Sequence, residues 1–214
     1  MADFNSDPVI RNMAGQNLCV VGRRKFITDV KRAIAESLSR NDGGKAIILY
    51  SEHPENWDAF VKSGCYVQTT DEEWTGIDLD GFARREEPRK LIILDGIEDL
   101  ISFHPDGYKP SPLANMLASL VSRPTKTGVQ LILCARDYRR AQAVVKELLI
   151  RCGLRIGDSS IGGDLTSFVC FETSGSRALP PLPEDRAIVV DRDSGESIVF
   201  RPFGCGKGKE AIRG

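Results

Sequence analysis

Histidine is nearly absent from this sequence: His53 and His104 are the only two, and each sits directly before a proline. A zinc centre or an imidazole-based catalytic site needs several converging histidines, so that scarcity argues against both, and the two read as loop residues. No C-x-x-C pair occurs among Cys19, Cys65, Cys134, Cys152, Cys170 and Cys205. Cys19, Cys134 and Cys170 lie in apolar runs and read as small buried hydrophobes in a reducing compartment. Excess charge is missing too, because 29 Lys and Arg face 30 Asp and Glu for a net charge of -1. No overall basic field exists to collect nucleic acid or anionic lipid, so nucleic acid is not expected as a partner, although a local basic patch stays open. No apolar run reaches membrane-spanning length and no signal-peptide pattern opens the chain. The expectation is a cytoplasmic domain without membrane insertion of its own, either free or part of a larger membrane-anchored protein.

The chain has ordinary globular composition, 41% hydrophobic and 28% charged over 214 residues, enough for one α/β domain. Short apolar runs predict strands over 18–21, 46–50, 66–69, 91–94, 129–135 and 167–171, with two more over 187–190 and 198–200 flanking a polar turn. Helical spacing joins Phe26, Val30, Ala33, Ile34 and Leu38. It also joins Leu113, Met116, Leu117, Leu120 and Val121 behind Ser111-Pro112, a capping serine and a first-turn proline. A third face is Ala141, Val144, Val145, Leu148 and Leu149, with Asp137 as its cap. Continuous apolar strands, each followed by a helix, predict a parallel sheet covered on both faces. The last third, with only turns between its strands, predicts antiparallel edge strands. The expected organisation is a flexible segment over 1–16, one three-layer domain over 17–203 and a flexible Gly/Lys-rich tail over 204–214. Ala178-Leu179-Pro180-Pro181-Leu182-Pro183 reads as a stiff connector, since the remaining stretch of chain is too short to bury a core of its own.

Three stretches carry chemistry. After the first strand comes Gly22-Arg23-Arg24-Lys25-Phe26-Ile27-Thr28-Asp29, where a phosphate-binding loop would read G-x-x-x-x-G-K-[ST]. The second glycine position holds Ile27, the lysine position Thr28 and the hydroxyl position Asp29. A β-branched residue resists the backbone angles glycine supplies, and a carboxylate repels phosphate. Gly22, Arg23, Arg24, Lys25 and Thr28 are the candidate nucleotide or anion contacts, the three cations being either an anion site or a solvated turn rim. The second stretch, Leu91-Ile92-Ile93-Leu94-Asp95-Gly96, places Asp95 at a strand end, either beside a magnesium ion or as a cap of the next turn. Gly96 stands where an active hydrolase carries a glutamate, and Glu98 and Asp99 are expected to face elsewhere. The third stretch runs from Gly128 to Asp137 and leads through a helix to Leu154-Arg155-Ile156-Gly157. Trp57 reads as core, and Trp74 as either core or a partly exposed contact.

Taken in order, these stretches resemble the FtsK/SpoIIIE family of RecA-like translocase ATPases. LIILDGIEDL resembles the family's h-h-h-h-D-E-x-x-D-L strand end, GVQLILCARD its G-[IV]-H-L-I-L-A-T-Q-R strand, and LLIRCGLRI its N-I-P-x-R-I stretch. The ending LPPLPEDRAIVVDRDSGESIVF is similar to the closing hairpin of the C-terminal ATPase modules of type VII secretion. The resemblance implies a RecA-like P-loop fold, with Asp95 as the Walker B aspartate and Arg136 in place of the family's sensor glutamine. It also implies neighbouring ATPase modules as partners, secreted WXG-type helical substrates, and a parent protein anchored in a bacterial inner membrane. The departures fall on catalytic positions, so the expectation is a pseudo-ATPase module with no catalytic or metal-ligating residue assigned and no firm cofactor. The alternative is a weak ATP- and magnesium-binding translocase domain acting on protein or DNA.

Overall fold

A computed structural model describes residues 16–39, 45–50, 66–70, 79–87, 89–98, 129–170 and 179–201. The helix expected behind Ser111-Pro112, together with Trp57, Trp74 and Asp99, lies outside the described residues.

The first described strand is β1, Leu18–Val21, whose four apolar residues are all buried. Helix α1, Arg24–Ser39, follows at once. Then come β2, Lys45–Tyr50; β3, Tyr66–Thr70; the short helix α2, Leu79–Ala83; and β4, Arg89–Asp95. Next are β5, Val129–Ala135, and α3, Tyr138–Ile150, which the Asp137 carboxylate caps by accepting the Arg140 N–H at 3.0 Å. Strand β6, Leu154–Asp158, a 3₁₀ segment, Ser159–Asp164, and helix α4, Leu165–Cys170, lead to β7, Ala187–Asp191, and β8, Ser197–Phe200.

These strands form one sheet of eight among the described residues, in the order β3-β2-β4-β5-β1-β6-β7-β8. Pairing is parallel from β3 through β6 and antiparallel for β6-β7 and β7-β8. The first strand therefore sits near the middle, between β5 and β6. Alternate residues of a strand face opposite sides, and both sides of the central strands β1, β4 and β5 are covered. Leu18 and Val20 meet Phe26, Ile27, Val30 and Ile34 of α1. Cys19 and Val21 join the opposite core, which holds Tyr138, Ala141, Leu148 and Leu149 of α3, Leu165 and Phe168 of α4, and Phe82 of α2. The three-layer architecture with its antiparallel closing strands is the one the sequence predicts.

Two local expectations are corrected. Residues 167–171 read as a strand, yet through Cys170 they belong to α4. Leu165 and Phe168, three residues apart, share one buried face, and the Ser167 hydroxyl donates back to the Asp164 carbonyl at 2.9 Å, continuing the helical turn. Strand β6 is absent from the sequence-based expectation, because Arg155 and Asp158 break its apolar pattern. Both are nonetheless buried. The Arg155 guanidinium donates to the Tyr138 hydroxyl and the Phe168 carbonyl at 3.0 Å each, and to the Leu149 carbonyl at 3.2 Å. It thus neutralises the carbonyl ends of α3 and α4 at once, where the helix dipoles favour a cation. The Tyr138 and Phe168 rings meet edge to face, their centroids 5.3 Å apart, with the same guanidinium 5.9 Å from each.

Candidate functional site

In a parallel sheet, side chains just beyond the strand ends converge at one edge. Register places the ends of β4, β5, β1 and β6 side by side: Asp95 pairs with Cys134, and Val21 with both Ala135 and Gly157. Every sequence-predicted site residue lies on this edge or on the first turns of α1.

Only Gly22 and Arg23 separate β1 from α1. Gly22 donates its N–H to the Ala135 carbonyl at 3.0 Å, so it stays tied to the sheet. Helical bonding starts directly with the Ile27 N–H to the Arg23 carbonyl at 3.1 Å. Ile27, Thr28 and Asp29, which a loop alignment matches to glycine, lysine and hydroxyl, are instead helical, and Ile27 is in the core. Arg24 and Lys25 are exposed in the first turn, and Lys25 lies 3.5 Å from Asp29. Thr28 is half-buried one turn on.

Among the described residues, three cation–carboxylate pairs occupy the edge. Arg23 reaches Asp158 at the end of β6, donating its backbone N–H at 3.3 Å and its Nε at 3.0 Å. Its guanidinium also donates to the Glu184 carbonyl at 3.1 Å, in the connector before β7. Burial raises the Asp158 carboxyl pKa, but the Ser160 hydroxyl and N–H and the Arg23 donors outweigh it and hold the group below the usual carboxylate range. Asp95 is ion-paired with Lys31 of α1, and the two side chains are only 16% and 4% exposed. Glu98 accepts the Arg136 backbone N–H at 2.8 Å and lies 3.5 Å from Arg136 Nε. The expectation that Glu98 faces elsewhere is thereby corrected: its carboxylate is buried at the edge itself.

Gly96, in the position of the hydrolase glutamate, has φ +78. That angle favours glycine and lets both the Gly96 and Ile97 N–H groups hook onto the Cys134 carbonyl, at 3.0 and 3.2 Å. Sequence reasoning missed Lys31, Asp158 and the inward Glu98. A signal for Lys31 was available: it lies four residues after Ile27 and three before Ile34, on the apolar flank of α1.

Comparison of the sequence finds no matching family model and no matching curated protein. Comparison of the structure does find relatives in shape. Two ATPase modules of Thermomonospora curvata EccC, solved with a signal sequence peptide, superpose with a TM-score of 0.57 at 14% identity, covering 96% of this chain and 38% of that one. The genome packaging NTPase B204 of Sulfolobus turreted icosahedral virus 2, solved with AMPPCP, gives 0.55 at 13% identity over 89% of this chain and 99% of that one. The pCW3 conjugation coupling protein TcpA gives 0.55 at 12% identity over 89% and 61%. The fold is that of the RecA-like P-loop ATPases. The carboxyl edge just described is where β1 hands over to α1, and the three ion pairs lie along it. This chain spans little more than a third of the EccC chain it matches. No helix among the described residues is long and apolar enough to cross a membrane.

Proposed function

We propose that this chain is a non-hydrolysing module of an FtsK/SpoIIIE-type secretion motor, serving to bind and regulate partner modules or substrate in type VII protein secretion. The observation that carries the reading is the two-residue turn between β1 and α1. A phosphate loop wraps its ligand with successive backbone N–H groups and follows them with a lysine. Here Gly22 spends its N–H on Ala135 and Arg23 directs its N–H to Asp158. The strand-end aspartate, which would face magnesium, instead faces the Lys31 ammonium. The residues present therefore do not fit a magnesium nucleotide.

The retained core supports a role in docking. Both faces of β1, β4 and β5 are packed and ion pairs line their carboxyl ends, which supports a stiff module with surfaces for partners. The likeness to EccC modules, one structure of which holds a signal sequence peptide and another of which is a cytoplasmic domain, supports neighbouring ATPase modules as partners; a helical WXG-type substrate and a membrane-anchored parent are further parts of the proposal.

Calorimetric titration with ATP and magnesium tests the reading. The expected result is no saturable heat and no phosphate release. Micromolar ATP binding that disappears in Asp95→Ala would overturn it.

A further inference from the structure

We infer that β8 is an interface strand: a second copy of this chain adds to its outer edge, β8 against β8 and antiparallel. Among the described residues β8 ends the sheet and pairs on one side only, with β7. Hydrogen bonding fixes which of its backbone groups face outward. The Asp191 N–H donates to the Glu196 carbonyl at 2.9 Å, and the Arg192 N–H turns the other way, to the Gly153 carbonyl at 2.8 Å. Bonding alternates along an antiparallel ladder. Ile198 and Phe200 therefore turn their N–H and C=O groups toward β7, and Ser197, Val199 and Arg201 turn theirs away. Such an outward row is a template for another strand. The usual protections, a proline, a lysine or a bulge, are missing from Ser197-Ile198-Val199-Phe200.

Two properties select a second copy as the occupant. The first is register, since only residues that both turn outward, or both turn inward, can stand opposite each other. A two-fold axis through Val199 meets this condition. It sets Val199 opposite itself, Ile198 opposite Phe200 of the other copy, and Ser197 opposite Arg201. Apolar side chains then face apolar ones, with Ile198 and Phe200 in the closer, non-hydrogen-bonded pairs. Ile198, Val199 and Phe200 are only half-buried, so each keeps surface for the added strand to cover. An axis through Ile198 would instead set the exposed Glu196 against Phe200. The second property is charge. At the turn end of the β7-β8 hairpin Asp193 and Glu196 are exposed, while the Arg192 guanidinium donates to the Ile150 carbonyl. At the open end Arg186 and Arg201 share the Asp185 carboxylate, at 3.6 and 3.2 Å. Antiparallel pairing lays the acid-rich end of each hairpin beside the cation-rich end of the other; parallel pairing would lay like beside like. The contact is small, so the association is weak, with a dissociation constant of about 10–100 µM.

Sedimentation equilibrium over concentrations that bracket this value tests the inference on the full chain. The expected result is a monomer–dimer equilibrium with no larger species, because a two-fold pairing closes on itself. Val199→Lys sets two ammonium groups opposite each other on the axis and should weaken the dimer at least about tenfold. Ser197→Pro deletes an outward N–H and spares the bonds to β7, so it should fold, as circular dichroism will show, and weaken the dimer as well. Glu196→Arg should weaken it, and Glu196→Arg/Arg201→Glu should restore it. A wild-type protein that stays monomeric throughout overturns the inference. A dimer that both edge variants leave intact also overturns it, since it would use another surface. A charge swap that the second substitution fails to rescue overturns the antiparallel alignment. Where Val199→Lys does not fold, Ser197→Pro carries the edge test alone. ATP binding by wild type would overturn the functional proposal and leave this association standing, so the two failures are distinguishable.

Discussion

Replacing Lys31 with methionine removes the counter-charge of Asp95 while keeping a side chain of similar length on the apolar flank of α1. The two side chains are 4% and 16% exposed, so water cannot fully replace the lost ammonium. Breaking a buried pair from one side costs about 3–5 kcal/mol. The residual exposure of Asp95 places Lys31→Met at the lower end, about 3 kcal/mol, or roughly 6–12 °C in midpoint for a domain of this size. Asp95→Asn leaves the ammonium an uncharged oxygen to donate to, so about 2 kcal/mol is expected. The double variant should cost less than the sum of the two, with a coupling of about 1–3 kcal/mol. Urea unfolding followed by circular dichroism, run on all four proteins, measures each corner of the cycle. Single variants that each cost under about 1 kcal/mol and add without coupling would refute the argument that this pair closes the edge.

Arg155→Lys keeps the charge but cannot reach the carbonyls of α3 and α4 and the Tyr138 hydroxyl together, so a loss of about 2–3 kcal/mol is expected in urea unfolding; an unchanged midpoint would contradict it. Burial pushes the Cys19 thiol up to about 12 and those of Cys134 and Cys152 well above the ordinary range. All three should therefore resist iodoacetamide at neutral pH in the folded protein and react on unfolding, as peptide mass mapping will show. Gly22→Ala places a Cβ 2.6 Å from Phe26 Cδ1 and 3.0 Å from the Asp158 carboxyl, costing about 1–3 kcal/mol by thermal melt, with part recovered by Phe26→Leu. Because the folded Asp158 carboxyl titrates below its unfolded value, its contribution is complete above about pH 4 and is lost as pH falls through the lower folded value. Asp158→Asn should therefore lose less stability on acidification below about pH 4 than wild type does, and an equal slope would exclude this group as the cause.

Elements built from mostly apolar runs were legible from the order of residues. Strands β1 and β5 have the predicted bounds, and Asp137 caps α3 as its position suggested. Several of the errors share one physical source, the burial of charge. Arg155 and Asp158 hid β6, since a strand with a guanidinium and a carboxylate inside it shows no apolar period. Lys31, a buried charge on the apolar flank of a helix, was passed over although its spacing from Ile27 and Ile34 placed it there. Its partner Asp95 was visible at a strand end, but nothing local in the sequence links residues 64 positions apart. Residues 167–170 failed differently: Phe168 and Val169 favour strands locally, and the turn from the preceding 3₁₀ segment overrides them.

The central place of β1 has a consequence for synthesis. Leu18 aligns with Ile132 on one side and Leu154 on the other, so β1 waits for both of its partners until the long stretch of chain between them has been added. At about 5–20 residues per second, four apolar residues wait roughly 5–30 s without a sheet partner. Nascent chains halted before β6 should therefore present an open parallel edge to chaperones, and those released after it should not.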